Sequence, residues 1–299
     1  MVKKIVDYSH INEEKIVRER LFREFMVSGI NVLEDFISFK SDLNLEYFSS
    51  SGSLDCFYKK TDGFIFELAA WHCTLDRYIW KKNICDDIRK RIKNSETLKI
   101  LMVGDGLGFD SLYLYQNLSS AKVEYFEFED SKSFKFAKNM FKDYNANIKQ
   151  IGHLKDIKKN YYDIVVCLDV LEHLKDPFQL INDLFEYLHG SGVAYVSEAF
   201  GAVEVMRPTH LKSNLKYVGE IEKMFNKNMF YLAKLLFPRI YVFTKNRHER
   251  MNFIMHNKIR IKNYLIKIYF KFKYKPINFE KINDEIEILK KDVYGMLHG

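Results

Sequence analysis

The chain has 299 residues, of which 47% are apolar and 29% charged, and its net charge is +7. That length and composition suit one or two globular domains with a sizeable core. The four cysteines, Cys56, Cys73, Cys85 and Cys167, show no CxxC pair or metal-type spacing, which excludes a disulfide framework or zinc cluster as the basis of the fold.

The N-terminal stretch MVKKIVDYSHINEEKIVRER turns charged too early for a secretory signal, and no apolar run approaches the ~20 residues that span a bilayer. A cytoplasmic location is therefore expected. Residues 1–95 read as a mostly helical cap or lid. Val17, Leu21 and Phe25 recur every four residues, as one helix face would. DCFYKKTDGFIFEL reads as a hairpin around an Asp-Gly turn, and ELAAWHCTLDRYIWKKNICDDIRKRI as one long helix.

From Leu98 the pattern changes. KILMV, VEYFEF, DIVVCL and GVAYVSE are short, nearly continuous apolar runs, and segments of helical period separate them. Such alternation predicts a doubly wound, mostly parallel α/β sheet covered on both faces. Asp176-Pro177 supplies an N-cap and a first-turn proline. Phe178, Ile181, Phe185 and Leu188 then form the expected buried face, with Gly190 as a C-terminal stop. YLAKLLFPRIYVFTKN offers one or two closing strands. The following stretch, Asn246–Pro276, carries nine Lys/Arg against one Glu, so the rest of the chain is close to neutral. Its pattern fits a strand or a helix. The expected division is a cap over 1–95, an α/β domain over 96–246 and a basic, aromatic extension over 247–299.

Within the first apolar run's exit, KILMVGDGLGFDSL, Gly104, Gly106 and Gly108 alternate. A strand ending in spaced glycines and entering a helix lets backbone amides approach a ligand closely. Glu127 lies 19 residues after Gly108, at the end of the next apolar run, where a carboxylate can accept two hydrogen bonds from a ribose diol. A nicotinamide-binding Rossmann domain is the competing reading. Its spacing is G-x-G-x-x-G, whereas this one is G-x-G-x-G.

With YYDIVVCLDVLEHLKDP added, the chain resembles the class I S-adenosylmethionine-dependent methyltransferases over roughly Leu98–Asn246. The resemblance implies that Gly104–Gly108 holds the amino-acid part of S-adenosylmethionine, with Asp105 in that loop. It further implies that Glu127 holds the ribose, that Phe128 flanks adenine, and that Leu168 and Asp169 underlie the methionine portion. Met102 stands where the family often has an acid, and His153 stands where an acid often meets the adenine amino group. Candidate acceptor-side groups are Asp169, Glu172, His173, Glu198 and His210; of these Asp169, His173 and His210 are the candidate catalytic residues. Glu172 and His173 also fit a purely structural turn. Asp169, Glu172 and His173 match the spacing of a divalent-metal site found in some small-molecule O-methyltransferases, with Asp for the first Glu, but the reading assigns no metal.

The implied reaction is methyl transfer to an O or N atom of a small molecule, sugar or natural-product intermediate, leaving S-adenosylhomocysteine. Two alternatives stay open: an RNA methyltransferase using the basic extension, and a methyltransferase-like binding subunit without chemistry. That extension also suits peripheral contact with an anionic membrane. The cap and Gly201–Lys216 are expected to form the acceptor-selecting lid.

Overall fold

The computed structural model describes residues 31–46, 49, 54–91, 97–204, 207–236 and 239–273, with 284, 287, 288 and 291 beyond them. Val17, Leu21 and Phe25 lie outside the described residues. The chain divides into two compact units. One comprises Met1–Ile79, Ala202–Lys212 and Lys275–Gly299, and the other Trp80–Gly201 and Ser213–Tyr274.

In the first unit, helices α1 (31–39), α2 (Leu54–Lys60) and α3 (Gly63–His72) enclose a small core of Val32, Phe36, Leu45 and Phe57. The expected hairpin is thus two helices joined by a tight turn, and the reason is Asp35. Its carboxylate accepts the Thr61 hydroxyl (2.7 Å), the Asp62 amide (3.0 Å) and the Gly63 amide (2.8 Å). It thereby satisfies amides that a new helix leaves without carbonyl partners. A β-carbon on Gly63 would stand 2.6 Å from the Asn31 carbonyl carbon, so the glycine is there for close approach rather than for a hairpin turn. The single long helix expected next is also two. After α3, Thr74 interrupts the run: its hydroxyl donates to the Trp71 carbonyl (2.7 Å) and accepts the Arg77 amide (3.3 Å), and α4 begins at Leu75 and runs to Arg91.

The second unit is a seven-stranded sheet of order β3-β2-β1-β4-β5-β7-β6. Its strands are β1 (Leu98–Val103), β2 (Ala121–Phe126), β3 (Lys149–Ile151), β4 (Tyr162–Cys167), β5 (Leu188–Val196), β6 (Tyr231–Leu236) and β7 (Ile240–Thr244). The first five pair in parallel, while β7 pairs antiparallel with β5 and with β6. YLAKLLFPRIYVFTKN therefore gives two strands. The crossover helices are α5 (Phe109–Asn117), α6 (Lys132–Asp143) and α7 (Pro177–Tyr187), and α8 (Ile221–Lys227) precedes β6.

Asp176 caps α7 as its sequence requires, accepting the Phe178 (3.0 Å) and Gln179 (3.2 Å) amides. The buried face of α7 is carried by Leu180, Ile181, Leu184 and Tyr187, with Phe178 and Phe185 half-buried beside it. Gly190 is not the helix stop. The helix ends at Tyr187 and Gly190 lies inside β5, because Leu188 is already extended and needed in the core.

Two buried carboxylates brace the sheet. Glu124 on β2 accepts the Tyr162 hydroxyl of β4 (2.7 Å). Asp87 on α4 accepts the Tyr195 hydroxyl (2.9 Å) and pairs with Arg91 (3.3 Å) and Lys234. Hydrogen bonds from Lys234 and Tyr195 hold the Asp87 carboxyl below its usual range, against the opposing effect of burial.

The basic extension is helix α9 (Phe253–Lys273). Its inner face carries His256, Ile259 and Asn263, all buried. His256 pairs with Glu222 of α8, and Asn263 accepts the Tyr241 hydroxyl of β7 (3.1 Å). At Gly219, with φ +73°, a β-carbon would stand 2.6 Å from the Asn263 carbonyl oxygen, so the helix backbone rests directly on that turn.

Candidate active site

In this strand order the chain reverses direction of travel across the sheet between β1 and β4, the point beyond whose C-terminal strand ends doubly wound sheets place their ligand crevice. The loops that leave β1, β2, β4 and β5 at that end carry most of the residues singled out from sequence.

All three loop glycines are left-handed: φ is +68° at Gly104, +54° at Gly106 and +77° at Gly108. For a residue with a β-carbon each such conformation costs roughly 1 kcal/mol or more. A β-carbon at Gly104 would also stand 2.6 Å from Val170 Cγ2, and one at Gly108 2.6 Å from Phe141 Cζ. The loop after β1 therefore touches the turn after β4, bringing Gly104 and the Asp169–Val170 turn together. Tyr125, fully buried on β2, donates its hydroxyl to the Gly106 carbonyl (2.5 Å) and fixes the middle of the loop.

Asp105 is 7% exposed and points into α5. Its carboxylate accepts the Asp110 amide (3.3 Å), the Ser111 amide (2.7 Å) and the Ser111 hydroxyl (2.6 Å). These are the amides that, in a dinucleotide-binding domain, would meet a pyrophosphate. Here an internal carboxylate already occupies the positive end of the helix. The loop is thus built against an anionic ligand and suits a cofactor without phosphate.

Glu127 follows β2. Its Oε1 accepts the Phe128 amide (3.0 Å), and the Gly106 amide also donates to this carboxylate. The acid expected to meet a ribose is thus beside the middle glycine. Burial raises its carboxyl to about 7, against the lowering effect of those two amides. Phe128 is 55% exposed, edge-on to Phe126 with ring centroids 5.7 Å apart. His153, after β3, is largely exposed and lies 3.1 Å from the Glu129 carboxylate. Met102 is a core residue of β1.

After β4, Leu168 is buried and Asp169 is left-handed, with φ +56°. Ser197, the residue after β5, holds it. The Ser197 hydroxyl donates to Asp169 Oδ1 (2.8 Å) and accepts the Asp169 amide (3.1 Å). Sequence reasoning passed over Ser197; its only signal is its place between the fifth apolar run and Glu198. Glu172 is 1% exposed, in a single turn of 3₁₀ helix with His173. Burial, then the neighbouring Asp169 and Glu198 charges, push its carboxyl well above the usual range. Glu198 accepts the Phe200 amide (2.8 Å), and burial raises its carboxyl to about 7. Asp169, Glu172 and Glu198 therefore form one acidic group where β4 and β5 end. His210 is buried and belongs to the first unit.

Residues 101–196 match a family model described as a methyltransferase domain. No curated protein matches the chain significantly. Among solved structures, a candidate O-methyltransferase from Nostoc punctiforme PCC 73102 is 17% identical, with a TM-score of 0.53 over 74% of this chain and 71% of the other. A candidate S-adenosyl-L-methionine-dependent methyltransferase from Methanococcus maripaludis is 18% identical, with a TM-score of 0.43 over 63% and 93%. A SAM-dependent methyltransferase from Aquifex aeolicus is 12% identical, with a TM-score of 0.43 over 56% and 96%. The first of these supports the fold. The sheet order and the matched segment agree: residues 101–196 form a methyltransferase domain, built on a class I doubly wound fold.

Proposed function

We propose that the enzyme methylates an O or N atom of a small molecule or glycan placed beside the acidic group at the ends of β4 and β5. The observation that carries this reading is the partition of the crevice. The β1–β2 side offers bare backbone and one carboxylate, Glu127. The β4–β5 side offers three carboxylates, Asp169, Glu172 and Glu198, two of them raised by burial.

The first side fits S-adenosylmethionine. The glycine cradle is one that β-carbons would fill, Asp105 bars a pyrophosphate, and Glu127 retains lone pairs for a ribose diol. Gly104, Gly106, Glu127, Phe128, Leu168 and Asp169 would hold the cofactor, with His153 at its adenine end. When bound, it supplies an activated methyl group on a sulfonium.

The protein's own part is to orient the acceptor, to exclude water and to take a proton. Glu198, raised to about 7, is the group poised to accept that proton near neutral pH. Asp169, locked by Ser197, orients the acceptor and offsets the developing positive charge. His173, in the same turn as Glu172, is a further candidate for this role.

The test is a screen of metabolites and glycans with methyl-labelled cofactor, repeated with Glu198→Gln. Label should enter a small acceptor, and Glu198→Gln should lower turnover ~10²–10⁴-fold while S-adenosylhomocysteine affinity stays within about threefold. Label in RNA alone, or unchanged turnover in the variant, contradicts the proposal.

A further inference from the structure

Helix α9 has two unlike faces. The inner face is pinned by His256–Glu222, Asn263–Tyr241 and Lys267–Glu220. The outer face carries Ile254, Ile261, Leu265 and Phe272, which are 69, 60, 57 and 83% exposed. Their spacing of seven, four and seven residues places them on one stripe along the helix. Tyr264 and Tyr269 flank it, 64 and 62% exposed. Most of the large apolar side chains exposed among the described residues belong to this one helix.

The charges are ordered too. On the helical wheel Lys258 and Lys262 border the stripe on one side, Arg260 and Lys271 lie farther round on the other, and Lys267 is turned to Glu220 on the inner face. The helix contains no acidic residue. It is 21 residues long, about 30 Å, and no described helix is long and apolar enough to cross a membrane.

An occupant of this face must be anionic and must also take up branched aliphatic side chains. A second copy of the chain would bring two uniformly basic helices together, and like charges would oppose the contact. Nucleic acid would answer the charge and stack on tyrosines, but not on Ile254, Ile261 and Leu265. An anionic lipid surface answers both: the stripe enters the acyl boundary while lysine and arginine reach the headgroups. We propose that α9 lies flat on an anionic bilayer and holds the folded enzyme at the membrane surface. This inference does not depend on the methyl acceptor.

The experiment is flotation of the full-length protein with vesicles of phosphatidylcholine alone or with about 30% phosphatidylglycerol, in low and high salt, alongside size-exclusion chromatography and a random single-stranded RNA. The expected result is binding to anionic vesicles, at least about tenfold weaker to neutral ones and weakened by salt. Ile261→Glu combined with Leu265→Glu, both exposed, should abolish flotation with the melting temperature and S-adenosylhomocysteine affinity unchanged. Lys258→Glu combined with Lys262→Glu should weaken flotation about tenfold. The proposal is overturned by wild-type protein that does not float, by unchanged flotation of both double variants, by RNA binding without vesicle binding, or by a dimer that Ile261→Glu/Leu265→Glu turns into a monomer.

Discussion

Replacement of Glu127 by Gln keeps the shape of the side chain and removes its charge. In the structure this carboxylate accepts the Phe128 and Gly106 amides. A carboxylate has about four lone-pair sites, which leaves about two for a ribose diol. Hydrogen bonds to a charged acceptor contribute about 1.5–3 kcal/mol each, against about 0.5–1.5 kcal/mol for neutral ones. Glu127→Gln should therefore cost about 2–3 kcal/mol of cofactor affinity, roughly 30–160-fold. The raised carboxyl adds a second signature. With a value of about 7, Glu127 is mostly protonated at pH 6 and mostly ionised at pH 8. If only the ionised form receives the diol, affinity should rise about tenfold across that interval. Calorimetry with S-adenosylhomocysteine at both pH values reads both effects. The wild type should show the pH dependence and Glu127→Gln should lose it. Wild-type affinity independent of pH, or unchanged affinity in the variant, would exclude Glu127 as the ribose ligand.

Other substitutions probe the scaffold. Gly104→Ala forces a β-carbon into φ +68° and to 2.6 Å from Val170; it should cost about 2–3 kcal/mol of stability and most of the cofactor affinity, read by thermal melts and calorimetry. Ser197→Ala removes both bonds that hold Asp169 left-handed. It should lower S-adenosylhomocysteine affinity and turnover about tenfold each with a loss of about 1–3 kcal/mol in stability, and a shift in stability alone would limit Ser197 to packing. The Glu198 carboxyl is raised from 4.5 to about 7 in the folded protein, so the folded state holds its proton where the unfolded chain has lost it. Its contribution to stability is therefore lost as pH rises from about 4.5 to about 7. Glu198→Gln should raise the melting temperature at pH 8 by roughly 2–4 °C, corresponding to about 1–2 kcal/mol for this half-buried group, and leave it nearly unchanged at pH 4. An equal shift at both pH values would contradict the assignment of that proton.

The parallel sheet was legible because its strands are buried on both faces and read as unbroken apolar runs. The glycine loop and Glu127 were legible because backbone geometry leaves a composition signal: only glycine takes three positive φ angles in five residues without strain. The capping of α3 was not legible. The Asp-Gly pair after Thr61 is a hairpin signal locally, and Asp35, 26 residues before Thr61, overrides it. The role of Asp105 was hidden for a related reason, since a carboxylate in a cofactor loop reads as a ligand contact until its three bonds into α5 are seen. Ser197 was missed because a single serine after a strand has no pattern. Helix α9 was ambiguous because its polar inner face, His256 and Asn263, breaks the usual rule of an apolar buried stripe.

On the proposed function, the loops at the β1–β4 reversal take a phosphate-free adenosyl ligand. Parallel titrations of the wild-type protein with S-adenosylhomocysteine and with NAD⁺ test it most directly. Micromolar binding of the first and none of the second at about 1 mM is the predicted result. Binding of NAD⁺ with equal or greater affinity, or no binding of S-adenosylhomocysteine, would contradict it.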